Sequence, residues 1–277
     1  MTDLTFPVKK ILLAAAAAPI SYAVTIVKKS VPGIVALVIG YLCIGLFTLN
    51  AADIAAGEQP SWLLFAMAWL IGMVAFIFGY TVIAVTLHRI FLLGTSAIPG
   101  SGIRNWSSRE TRFFGWGIAV GLVLVVPAGI LISLSMLGIS QDVLEMAAEG
   151  SASIGLSMRV FIAMLPIAYL LGRLLFVLPA TATGSKPSLG WSWAFSRKYH
   201  LQTALVIGVA PVAASTIVEL VFGLLPALLA IPLMIVFNVY LGVFGIAVLS
   251  FSYGFLKDAQ PDLLPPAINE VTRPPEG

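Results

Sequence analysis

Charge, cysteine and histidine are all scarce in this chain. Only 10% of its 277 residues are Asp, Glu, Lys or Arg, and it holds one cysteine and two histidines. A soluble domain carries about 25% charged and about 45–50% apolar residues. Here 60% are hydrophobic and the mean hydropathy is +1.04. A soluble fold of this length leaves much of its surface in water and has nowhere to hide so much apolar area. Cys43 stands alone inside an apolar run, which excludes an intrachain disulfide and gives a thiolate metal site no further donors. It reads as a small packing residue.

Catalytic signatures are missing as well. There is no Gly-x-x-x-x-Gly-Lys-Ser/Thr phosphate loop, no His-Glu-x-x-His and no Gly-x-Ser-x-Gly elbow. His88 and His200 lie far apart, each in a basic stretch, and read as interfacial residues rather than metal ligands. No enzyme activity, cofactor or metal is therefore expected.

What the chain has is long apolar runs. Six of them, about 31–50, 62–87, 113–139, 155–178, 201–222 and 225–252, are long enough to cross a bilayer, which takes about 20 helical residues. Barrel strands would alternate polar and apolar over about ten residues, and these runs do not. The expected fold is an all-α polytopic transmembrane bundle, with Pro127, Pro166, Pro211 and Pro232 offering kinks near the middles of spans.

A seventh run, Ile11–Val27, lies between Lys9-Lys10 and Lys28-Lys29. It could be a signal peptide, a short span or a helix lying in the interface. The charges favour the interfacial reading. With six spans and a cytoplasmic N-terminus, 14 of the 15 basic residues fall on the inner side, and only Arg159 falls outside, among Asp53, Glu58, Asp142, Glu145 and Glu149. That is the positive-inside pattern, and a seventh span would break it. Both termini are then cytoplasmic. The net charge of +3 reflects loops facing anionic lipid, not affinity for nucleic acid.

The plan is one transmembrane domain, 1–256, followed by a Pro-rich tail, 257–277, expected to be disordered. Three basic stretches each precede a helical hairpin, giving units of about 5–87, 88–178 and 179–256 that suggest a repeat.

The segments HRIFLLG (88–94), RETRFFGW (109–116), RLLFVLPATA (173–182) and WSWAFSRK (191–198) resemble those of uncharacterised bacterial polytopic inner-membrane proteins. More distantly they are similar to the membrane domain attached to some glycerophosphodiester phosphodiesterases. The catalytic barrel of those enzymes takes about 250 residues and is not in this chain, so the resemblance implies a membrane domain and no activity.

The candidate contact residues follow from position. Arg159, Arg173 and Glu219 lie near span ends, where they can snorkel to headgroups. Arg159 and Glu219, at similar depth on neighbouring helices, are expected to pair. The span cores hold no charged residue, which counts against an ion-coupled transporter. Asn238 sits near the middle of the sixth span, where an amide calls for an interhelical hydrogen bond or a pocket. Arg89, Arg109, Arg112, Arg197 and Lys198 lie among Trp106, Trp116, Trp191 and Trp193, a composition suited to anionic headgroups. Ala36/Gly40 and Gly117/Gly121 have the spacing that lets helices approach, within the chain or between copies. The functional expectation is a non-catalytic protein of the bacterial inner membrane, acting as scaffold, accessory subunit or lipid organiser. Its expected partners are membrane lipids, with a membrane-protein partner or a second copy left open. The alternative is a small-molecule or lipid permease, which a polar cavity around Asn238 would favour.

Overall fold

The computed structural model describes residues 5–55, 62–97, 106–137, 154–222 and 224–266. Its helices are α1 (Val8–Ser21), α2 (Ala23–Ala55), α3 (Trp62–Leu93), α4 (Ser108–Met136), α5 (Ile154–Leu174), α6 (Val177–Ala182) and α7 (Leu189–Phe195). A short α8 (His200–Thr203), a π-helical stretch (Ala204–Val209) and α9 (Ala210–Phe222) run on one another, and α10 (Ala227–Ala259) closes the bundle. Among the described residues, six helical segments are long and apolar enough to cross a membrane: Ala23–Cys43, Ala66–Leu93, Ser108–Met136, Met158–Ala182, Arg197–Phe222 and Pro232–Ala259. The protein is an all-α multi-pass membrane bundle. Glu58, Arg104, Asp142, Glu145, Glu149 and Arg273 lie outside the described residues.

Several helices extend past the apolar runs. α3 continues through His88 and Arg89 to Leu93, and α4 begins at Ser108 rather than near 113. Hydropathy marks the part that lipid can hold, whereas the backbone stays helical until a cap or turn stops it. At α4 the stop is a capping box. The Ser107 N–H donates to Glu110 Oε2 at 2.8 Å, and the Ser107 hydroxyl accepts from the first turn of the helix.

The run Ile11–Val27 does not form one unit. α1 ends at Ser21, Tyr22 caps it, and residues 23–27 are the first turn of α2, so Lys28 and Lys29 lie inside a spanning helix instead of after an interfacial one. At about 1.5 Å per residue, the 14 residues of α1 fall short of a bilayer core. α1 packs against α10, burying Ile11, Ala15 and Ala18. Phe6 anchors its start, with ring centroids 5.1 Å from Phe255 and 5.7 Å from Tyr199.

Neighbouring spans pair as hairpins: α2 on α3, α4 on α5, and α9 on α10. The first is the tightest. A Cβ at Gly79 would meet the Gly33 carbonyl oxygen at 2.6 Å, and one at Gly40 the Phe76 nitrogen at 2.9 Å. Only glycine allows those backbones to come so close. Gly117 and Gly121, by contrast, have nothing within 4 Å of an added Cβ, so among the described residues no helix packs closely on them. Pro127, Pro166 and Pro232 lie inside unbroken helices. Pro211 is the second residue of α9, two positions past the π-helical stretch, whose widened turn accommodates its missing N–H. The interruption between α5 and α6 lies at Leu175, four residues before Pro179, where the proline ring would collide with a helical carbonyl.

The core gathers toward the end of the bundle where α1 begins and α10 ends. Phe176, Ala180, Phe195, Val206, Ala247, Val248 and Leu256 are buried there. Toward the opposite end Leu42, Leu63, Val126, Leu224, Ile235 and Val239 are exposed, an apolar surface suited to lipid. The expected disordered tail is ordered over its first part. Pro261–Leu263 forms a 3-10 turn, the Trp191 indole donates to the Leu263 carbonyl, and the Lys186 N–H donates to the Pro266 carbonyl at 3.0 Å. Residues 267–277 lie outside the described residues.

Candidate functional site

The core-bearing end is also the basic end, and its chemistry depends on which cations are already engaged. Arg109 is engaged: its Nε donates to Glu110 Oε1 and its Nη2 lies 3.2 Å from the same oxygen. Arg89 donates to the Ala182 carbonyl at 3.4 Å, joining α3 to the end of α6. Lys198 lies over the Tyr199 ring, Nζ 5.3 Å from the centroid, and Arg197 is exposed beside it.

Arg173 has the most enclosed environment. Its residue is 4% exposed, and its guanidinium donates to the Trp193 carbonyl at 2.6 Å and to the Tyr169 hydroxyl at 3.3 Å. The same group stacks over Trp193, 4.2 Å from the ring centroid. Ser192 on α7 donates to the carbonyls of Arg173 and Leu174, supplying partners that the end of α5 lacks. Arg173 therefore does not snorkel to a headgroup as its sequence position suggested. It fastens the short helix α7 across the end of α5.

His88 is likewise not interfacial. It is 1% exposed, and its Nδ1 lies 2.8 Å from Ser250 Oγ. The Ser250 hydroxyl donates to the Ile246 carbonyl at 2.8 Å. Its one proton is used there, so Ser250 accepts from a protonated Nδ1. This bond ties α3 to α10, with the His88 ring 5.7 Å from that of Phe113 on α4.

Two expectations on the far side fail. Arg159 and Glu219 are both exposed and form no ion pair within 4.0 Å; long side chains at such positions can reach water or headgroups separately. Asn238 is exposed on α10 and donates its amide to Met234, one turn back on the same helix, at 2.8 Å. A local backbone carbonyl takes its amide proton, and no interhelical hydrogen bond joins it among the described residues.

Arg112 and Lys186 come together at an apolar hollow. A cleft of about 700 Å³ opens between α4 and the turn after α6, lined by Thr111, Arg112, Gly115, Trp116, Ala119, Ser185, Lys186 and Pro187. The α4 side is set by the capping box, which fixes where Thr111 and Arg112 emerge. The other side is set by a Schellman turn. Gly184, at φ +91, takes the left-handed position past the end of α6, with Ser185 N–H donating to the Ala180 carbonyl at 2.9 Å and Gly184 N–H to that of Thr181 at 3.0 Å. Arg112 spends two donors on Ser108, at 3.2 and 2.9 Å. Neither Arg112 nor Lys186 has a carboxylate within 4.0 Å among the described residues. Glu110, the nearest acid in sequence, is committed to Ser107 and Arg109.

Sequence reasoning marked Arg112 but missed Lys186, Thr111 and Ser185 as its companions. The Thr-Gly-Ser-Lys-Pro stretch (183–187) carries a visible turn signal, but not the helix that the turn faces. Among the described residues no three His, Cys, Asp or Glu side chains gather as a metal site would require. Comparison with protein-family models, curated proteins and solved structures returns no match for the chain.

Proposed function

We propose that this is a non-catalytic protein of the bacterial cytoplasmic membrane, with both termini in the cytoplasm, that gathers anionic lipid at its basic end. The observation that carries the reading is the cleft beside α4, where Arg112 and Lys186 stand at an apolar hollow with no carboxylate within 4.0 Å among the described residues. Cations placed beside membrane spans without acidic partners attract anionic headgroups, by about 1 kcal/mol each near the surface. The mixture of Trp116, Trp191 and Trp193 with basic residues suits the headgroup layer.

The test is purification in mild detergent followed by native mass spectrometry of the intact protein and its retained lipids. Phosphatidylglycerol and cardiolipin should be enriched over phosphatidylethanolamine relative to the source membrane, and the enrichment should fall as salt rises. Retained lipid that merely mirrors the membrane composition would overturn the reading.

A further inference from the structure

We propose that the cleft between α4 and the turn after α6 is a discrete site for one phospholipid with an anionic phosphate headgroup, held by Arg112 and Lys186. This rests on the lipid reading above and narrows it from a diffuse basic surface to a single stoichiometric site.

The shape and chemistry of the cleft favour an amphiphile. At about 700 Å³ it is large enough for a headgroup and the first part of a chain, and its lining divides by type. Gly115, Trp116, Ala119 and Pro187 supply a wall that is almost wholly apolar, and Arg112 and Lys186 bring two cations to it; the Thr111 hydroxyl is spent on the Ser107 carbonyl and Ser185 pairs with Tyr253. A small soluble anion would leave the wall unused, and a neutral lipid would leave the two charges unanswered. An anionic phospholipid satisfies both, with its phosphate between the cations and its chain along α4.

Three further features point the same way. The donors come from two rigid elements, one fixed by the Ser107–Glu110 capping box and the other by the left-handed Gly184. A site built on such supports is pre-organised, so little ordering is left for binding to impose. Arg112 lies just past the first turn of a 29-residue helix and its side chain reaches back to Ser108, which opens that turn, where the backbone adds positive potential. Finally, Gly115 sits on the wall with nothing within 4 Å of an added Cβ. The hollow is therefore open at Gly115, where a side chain would narrow it.

That glycine supplies the decisive variant. Gly115→Leu fills the cleft, leaves every charge in place and replaces a poor helix former by a good one. Wild type and variants would be placed in nanodiscs of dioleoyl phosphatidylglycerol and dioleoyl phosphatidylcholine, and lipids retained per chain counted after gentle extraction. Wild type should hold one phosphatidylglycerol per chain against excess phosphatidylcholine. Gly115→Leu should lose it at unchanged thermal stability. Arg112→Gln and Lys186→Gln should each weaken it about tenfold, the loss of one charge-assisted contact. Lys9→Gln/Lys10→Gln, which changes charge away from the cleft, should retain it.

If Gly115→Leu binds phosphatidylglycerol as wild type does, the discrete site is wrong while the wider lipid reading stands. If wild type shows no preference for phosphatidylglycerol, both fall together. Displacement of the lipid by millimolar glycerol 3-phosphate would assign the donors to a soluble phosphate and overturn the lipid assignment.

Discussion

The guanidinium of Arg173 is held from two directions by Trp193, whose ring lies 4.2 Å from it and whose carbonyl accepts its Nη2 at 2.6 Å. α5 supplies the arginine and α7 the tryptophan, so a single side chain joins a spanning helix to the short helix lying across its end. Ser192 strengthens the joint from the α7 side by donating to the Arg173 carbonyl at 2.8 Å.

Replacement of Arg173 should expose that dependence. A lysine carries the charge but neither the planar face nor the fork of donors, so Arg173→Lys should destabilise nearly as much as Arg173→Met. Each should lower stability by about 2–3 kcal/mol, the cost of losing buried, charge-assisted bonds. A cycle with Trp193→Ala should show coupling of about 1–2 kcal/mol from the stacked pair. Thermal unfolding in detergent reads both, and a fully rescued Arg173→Lys would show that charge alone matters.

His88 and Ser250 should behave as a buried pair. Ser250→Ala strands the Nδ1 proton of His88 without an acceptor and should cost about 1–3 kcal/mol. Adding His88→Phe removes the stranded donor, and the double variant should be more stable than the sum of the single losses implies. Strict additivity in thermal stability would mean that the 2.8 Å contact contributes nothing.

Arg159 and Glu219 should be independent. Both are exposed and they form no ion pair, so Arg159→Met and Glu219→Gln should add within about 0.3–0.5 kcal/mol. Coupling well outside that margin would place the two side chains together in the membrane.

Topology has its own test. α1 is too short to cross, and its start packs beside the final turns of α10. Cysteines placed at Lys9 and Lys28, in a variant with Cys43 replaced by Ala, should both react with an impermeant reagent from the cytoplasmic side. Labelling from opposite faces would require α1 to be a seventh span.

The membrane class was legible without coordinates because it depends on additive quantities. Each apolar residue of a run such as 113–139 contributes to insertion regardless of its neighbours in space. The count of basic residues on either side of the spans is a sum of the same kind. Boundaries were less legible. Helical backbone runs on past the apolar stretch until a cap such as Ser107 or a turn such as Gly184 ends it. The order in 261–266 depends on Trp191 and Lys186, more than seventy residues earlier.

For the site, the sequence determined the stock of chemistry: which residues are cationic, which helices cross, and that no catalytic set is present among the recognised motifs. It could not determine which of those cations are already engaged. Arg173 and Arg112 look alike as basic residues beside spans. One is buried against Trp193 and serves the fold, while the other stands at an open cleft opposite Lys186. His88 and His200 look alike too, and only His88 finds a serine on a distant helix. The physical reason is that hydropathy and net charge are properties of a residue and its immediate run. Burial, hydrogen bonding and the absence of a counter-charge are properties of a neighbourhood, and in this bundle tertiary packing assembles each neighbourhood from several helices.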